Sequence, residues 1–135
     1  MEVKEQEVAT ETVSKGLPSK NVAIRITNNT GEVLILTDSN INHGKWRDGS
    51  PLQMIPNGSV GLIEAGRKTG ATIGPEGDVT YSNPEGNIAF TLFFHNPYSG
   101  DNTAKIDTVG AYESSDFDWN LKHSPLNISV TITKS

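Results

Sequence analysis

The chain has 135 residues, no cysteine, and a formal net charge of −5 with only 11 lysines and arginines. That length predicts one domain with a core of its own, and the absence of cysteine excludes disulfides, thiolate metal sites and cysteine nucleophiles. No cluster of positive charge is present to track phosphates, so neither nucleic acid nor a strongly anionic membrane held by bulk electrostatics is an expected partner.

No apolar run approaches the roughly 20 residues that span a bilayer. The first fifteen residues, MEVKEQEVATETVSK, lack the apolar centre of a signal peptide. The expectation is synthesis without a classical export signal. Residues 1–20 are polar, with valines at 3, 8 and 13 in neither helical nor strand spacing, and read as a flexible extension. Residues 21–135 read as the folded domain.

From residue 22 the pattern changes to short strands divided by turns. Val22, Ile24 and Ile26 alternate with Ala23, Arg25 and Thr27, a half-buried strand. Asn28-Asn29-Thr30-Gly31 is a turn signal and residues 33–37 follow, so the two segments are expected to form a hairpin. Residues 38–49 read as a polar loop containing His43-Gly44-Lys45-Trp46-Arg47. Residues 52–55 and 60–65 read as strands around a tight Pro56-Asn57-Gly58-Ser59 turn, with Asn-Gly suited to a two-residue hairpin.

Glycines 66, 70, 74 and 77 punctuate the middle of the chain, with short strands at 71–73 and 78–82. Those at 70, 74 and 77 read as turn positions of unusual φ. Ile88, Phe90, Leu92 and Phe94 share one face of the next strand, and Ala89 and Phe93 make its other face partly apolar, as in a central strand covered on both sides. His95-Asn96-Pro97-Tyr98-Ser99-Gly100-Asp101-Asn102 ends it in a loop at the sheet rim, where binding groups often sit. Residues 103–112, a charged segment at 113–118, residues 119–121 and the alternating 127–133 complete the chain. No window carries a helical period. Many short strands with frequent turns predict an all-β, two-sheet antiparallel sandwich.

Catalytic and metal signals are weak. His43, His95 and His123 are scattered, without the spacing of a zinc motif. Asp38-Ser39-Asn40-Ile41-Asn42 imitates the start of a calcium loop, but His43 replaces the required glycine and Gly49 the closing glutamate. No nucleophile elbow, Walker loop or dinucleotide fingerprint occurs. Asp116 and Asp118 share a face and suit a solvated rim. The chain is therefore expected to be no enzyme and to use no metal or cofactor. A small hydrolase assembled by its loops is the third-ranked reading.

The aromatic residues say more. Trp46, Tyr98, Tyr112 and Trp119 fall in or beside expected loops, and tryptophan and tyrosine favour membrane interfaces, where the ring is buried and its polar edge stays wet. Exposed rings at strand ends also suit protein or sugar contacts.

Four motifs in register carry a family likeness. Asn28-x-Thr30-Gly31, Gly44-Lys45-Trp46, Ala65-Gly66-Arg67 with Gly74-x-x-Gly77, and Phe94-His95-Asn96-Pro97-Tyr98-x-Gly100-x-Asn102 resemble the aegerolysin family in order. The resemblance covers residues 21–133 and is closest to the bacterial branch holding the small components of binary insecticidal toxins. It implies a β-sandwich that recognises membrane lipid, sphingolipid in fungal members; for the insecticidal branch it implies synthesis in a bacterial cytoplasm and action outside the cell, on insect gut cells. It also implies a larger pore-forming partner of the membrane-attack-complex/perforin type. Carried over by motif, the lipid-binding residues are His43, Lys45, Trp46, Phe94, His95, Asn96, Tyr98 and Asn102. Where the fungal pattern has tryptophans this chain has His43, Phe94 and Tyr98, and Ile73 replaces an acidic residue. The alternative is a carbohydrate- or receptor-binding sandwich that works alone.

Overall fold

The computed structural model describes residues 21–68, 73–97, 100–119 and 126–135, with residues 115–119 described by backbone alone. The expected extension at 1–20, the turn at Gly70, most of the strand expected at 71–73, Tyr98, Leu121 and His123 lie outside these residues. The described residues form ten strands: β1 (Val22–Asn29), β2 (Leu34–His43), β3 (Lys45–Trp46), β4 (Met54–Ile55), β5 (Val60–Gly66), β6 (Glu76–Ser82), β7 (Ala89–His95), β8 (Thr103–Val109), β9 (Tyr112–Trp119) and β10 (Leu126–Lys134). They make two five-stranded sheets, in the orders β3-β5-β1-β10-β9 and β4-β2-β6-β7-β8. This is the expected all-β sandwich. Neighbours pair antiparallel except β1 and β10, which run parallel with Val22 opposite Leu126.

The core follows the period of two. Val22, Ile24 and Ile26 of β1 and Phe90, Leu92 and Phe94 of β7 enter one core between the sheets, each at most 1% exposed. Burying such a side chain contributes roughly 1.5–3 kcal/mol. Tyr81 stacks on Phe90 at 5.8 Å and its hydroxyl donates to the Leu52 carbonyl at 2.6 Å, so a large ring is buried without an orphaned polar atom. The other face of β7, Ala89, Thr91 and Phe93, is half-buried, where a covered face was expected.

Several expectations about connections are corrected. β1 and β2 do not form a hairpin; they belong to opposite sheets. The Asn28 side chain accounts for this, because it donates to the carbonyls of Glu32 and Ile55 at 2.8 Å each and accepts from the Thr30 N–H and hydroxyl at 3.0 and 2.7 Å. The turn is thereby stitched across the end of the sandwich. The 56–59 turn likewise crosses from β4 in one sheet to β5 in the other, with the Gly58 N–H bonded to the Asn28 carbonyl at 2.7 Å.

Residues 38–43 continue β2, where a loop was expected. Two register shifts against β6, at Leu36/Asp38 and Ile41/His43, break the alternation that would have announced a strand. The charged segment at 113–118 lies within β9, an edge strand, where charge discourages further pairing. Tyr112, expected near a loop, is a core residue at 2% exposure. Gly74 and Gly77 do not have left-handed φ; a Cβ on them would strike the carbonyls of Asn96 and Asn40, so close backbone approach is what selects glycine there.

Candidate functional site

The described residues among those named from sequence gather at one end of the sandwich, where β2 passes into β3 and β7 runs into its loop. Asn96, fully buried, ties this end together: its N–H donates to the Pro75 carbonyl at 2.9 Å and its Nδ2 to the Asn21 carbonyl at 3.0 Å. The same Asn21 carbonyl accepts from the Leu126 N–H at 2.8 Å, and its Oδ1 takes a long 3.4 Å bond from the Arg67 N–H. One backbone position therefore holds the starts of β1 and β10 and the end of β7.

Gly44 then separates residues that the sequence placed side by side. Its φ is +91°, and a Cβ there would strike the Gly66 carbonyl and meet Pro75 at 3.1 Å. The chain switches sheets at this point. His43 stands opposite Glu76, whose neighbour Gly77 is buried, so His43 and Glu76 lie on the outer face of their sheet. Lys45 stands opposite Gly66 on the outer side of the other sheet, while Trp46 pairs with buried Ala65 on the core side.

Three groupings result. The first is a polar row across neighbouring strands: His43, Glu76, His95 and Thr103 are successive register partners. His43 Nε2 is 3.7 Å from Glu76 Oε1, with the two side chains 44% and 24% exposed. Among the described residues no three potential ligands converge to hold a metal ion. The second grouping is aromatic. Trp46 is half-buried and meets fully buried Phe94 edge-on, at 5.7 Å and 66°. Phe94 therefore supports the tryptophan and does not itself reach the surface. The third is an open groove of about 620 Å³ lined by Lys45, Trp46, Arg47, Asp48, Glu64, Gly66 and Arg67.

Of the expected site residues, His43 and Lys45 are exposed, Trp46 and His95 half-buried, and Phe94, Asn96 and Asn102 buried. Buried Asn96 secures the loop bases, and among the described site residues the first four are placed to meet a ligand directly; Tyr98 lies outside the described residues. Arg47, Asp48, Glu64 and Arg67 were not among the expected site residues, although Arg67 belongs to one of the motifs that carry the family likeness. The signal was present as two short charged runs, Lys45-Trp46-Arg47-Asp48 and Gly66-Arg67-Lys68, but nothing local says that β3 pairs with β5. Among the described residues the clear pKa displacements lie away from this end. Burial raises the Tyr81 and Tyr112 phenols, with the charge of Glu32 adding to the second, and burial lowers the Arg25 guanidinium.

No protein-family model matches the chain, and no curated protein matches it. Solved structures do. The lipid binding protein Nakanori superposes with a TM-score of 0.75 at 14% identity, over 99% of this chain and 80% of that one. The RahU protein, solved in complex with a TRIS molecule, gives 0.72 at 12% identity, over 85% and 95%. IP-1A from Alcaligenes faecalis gives 0.65 at 18% identity, over 87% and 92%. At such low identity these likenesses establish fold: the chain shares the β-sandwich of all three.

Proposed function

We propose that this protein recognises membrane lipid through the Gly44/Asn96 end of its sandwich and serves as the targeting component of a binary pore-forming toxin active on insect gut cells. The larger partner would be of the membrane-attack-complex/perforin type. The observation that carries the lipid reading is that the described residues of three of the four aegerolysin-like motifs, at 44–46, 65–77 and 94–102, meet at one end of a fold shared with a lipid binding protein, while the Asn28 motif closes the other end. Lys45, His43 and His95 supply polar contacts there, and Trp46, with one side against Phe94, supplies a ring at the rim. The toxin role, the sphingolipid preference and the partner rest on the family resemblance. The same fold and the absence of any catalytic constellation in the sequence support a non-enzymatic role.

Co-sedimentation with liposomes of insect-gut lipid tests the lipid reading. Retention of the unmodified protein, and its loss in Trp46→Ala and Tyr98→Ala with the circular dichroism spectrum unchanged, is the expected result. No retention of the unmodified protein would overturn it. Retention should vary little between low and physiological salt, because the chain is acidic and the contacts are rings and hydrogen bonds.

A further inference from the structure

We infer that the groove over Gly66 is a second, separate binding site, for an anionic saccharide unit. Its position sets it apart from the lipid-facing row. Lys45 and Gly66 face outward from the β3-β5 side of one sheet, whereas His43, Glu76 and His95 face outward from the other. The two readings share Lys45 and Trp46, but Arg67 and Glu64, on which this site is tested, lie outside the lipid-facing row.

The groove exists because residue 66 has no side chain. A Cβ there would come within 2.9 Å of Asn21 Oδ1 and 3.6 Å of Arg47 Nη2, so any larger residue would push up into the space that Arg47 overhangs. The Arg47 N–H is bonded to the Glu64 carbonyl at 3.0 Å, which fixes the root of the overhanging chain to β5. Lys45 and Arg67 are exposed, and no ion pair to either is found among the described residues.

The lining charge selects the ligand. Lys45, Arg47 and Arg67 set three cations against the two carboxylates of Asp48 and Glu64, leaving the wall positive in a chain whose net charge is −5. A bare inorganic anion would use the cations but face both carboxylates. An acyl chain would find a single apolar side chain, Trp46, in a wall otherwise made of charged residues and a glycine. A sugar carrying a carboxylate or sulfate satisfies both sets: its anionic group accepts from lysine and arginine, and its hydroxyls donate to Glu64 and Asp48. The volume lies within the roughly 300–1,000 Å³ of small-ligand sites.

The test is isothermal titration of the full chain with a sulfated, uronic-acid-bearing disaccharide, with neutral lactose and with inorganic sulfate. The charged disaccharide should bind at least about tenfold more tightly than either control, and Arg67→Glu should weaken it by about tenfold or more. Glu64→Gln should weaken it less. Retention on insect-gut liposomes should be unchanged in Arg67→Glu, which separates failure of this site from failure of the lipid reading. Vesicles of phosphatidylcholine with and without a sulfated glycolipid identify the source: retention that needs both the glycolipid and Arg67 places the sugar on a lipid, and solution binding without such retention places it on a free or protein-linked glycan. The assignment is overturned if the disaccharide gives no binding, if sulfate binds as tightly, or if Arg67→Glu binds as the unmodified protein does.

Discussion

Both ends of the sandwich are closed by buried asparagines, but they are closed in different ways. At the far end, Asn28 bonds to Thr30 and Glu32, two and four residues away, and to Ile55, 27 away. Asn83 there accepts from the N–H groups of Asn87 and Ile88 at 3.0 and 3.1 Å and donates to the Asn87 side chain at 2.7 Å. Most of those partners are local, so the turns carry their own instructions. At the site end, Asn96 bonds to Asn21, 75 residues away, and Asn21 also receives Leu126. That end is assembled only once the sheets are. The far end is a fastening, and the site end a platform whose exposed charges face solvent.

The comparison is tested most severely at Asn28. Asn28→Ala removes four side-chain hydrogen bonds, leaves the buried Thr30 N–H without its acceptor and takes a donor from the Ile55 carbonyl, so equilibrium denaturation should show a loss of about 2–4 kcal/mol. A loss under about 1 kcal/mol would mean that the far end is not held as described. Asn96→Ala should cost less, roughly 1–3 kcal/mol, yet disturb liposome retention more than Asn28→Ala does at temperatures where both variants are folded. Equal retention in the two would erase the functional distinction between the ends.

Alkaline pH probes the far half of the core, where Tyr81 precedes the Asn83 turn. Burial raises this phenol above its ordinary value. The sign follows: below about pH 10 the phenol is neutral in both folded and unfolded chains, and above it only the unfolded chain releases the proton. Stability should therefore fall by about 1.4 kcal/mol per pH unit for this tyrosine once pH passes 10, until the folded phenol ionises. Tyr81→Phe should remove that part of the slope while losing the bond to Leu52. An unchanged slope in the variant would show that Tyr81 is not its source.

The smallest effect is expected between the two ends, at Arg25. Its Nη2 is buried without a hydrogen-bond partner and its Nη1 reaches Ser129 Oγ at only 3.4 Å. Replacing a desolvated, poorly satisfied cation by an apolar side chain of similar length is neutral to favourable, so Arg25→Met should hold or raise the denaturation midpoint by no more than about 1 kcal/mol. A clear loss of stability would assign Arg25 a stabilising contact.

Much of this was legible residue by residue. The inward faces of β1, β7 and β10 follow from Val22, Ile24 and Ile26, from Phe90, Leu92 and Phe94, and from Ile128, Val130 and Ile132, because side-chain direction in a strand alternates with a period that needs no knowledge of the partner. The all-β class follows from that period and the turn residues between strands. Which strand lies beside which does not follow, since a backbone ladder is nearly indifferent to sequence and its partner can lie anywhere in the chain. So the expected β1-β2 hairpin became two strands in opposite sheets, and β1 found β10 instead. The bulges of β2 hid a strand inside a polar stretch. The candidate site divided the same way: residue types at 43–46 and 94–102 were visible, but only the sheet switch at Gly44 sends His43 and Lys45 to opposite faces, and only the pairing of β3 with β5 brings Arg47, Glu64 and Arg67 around one groove.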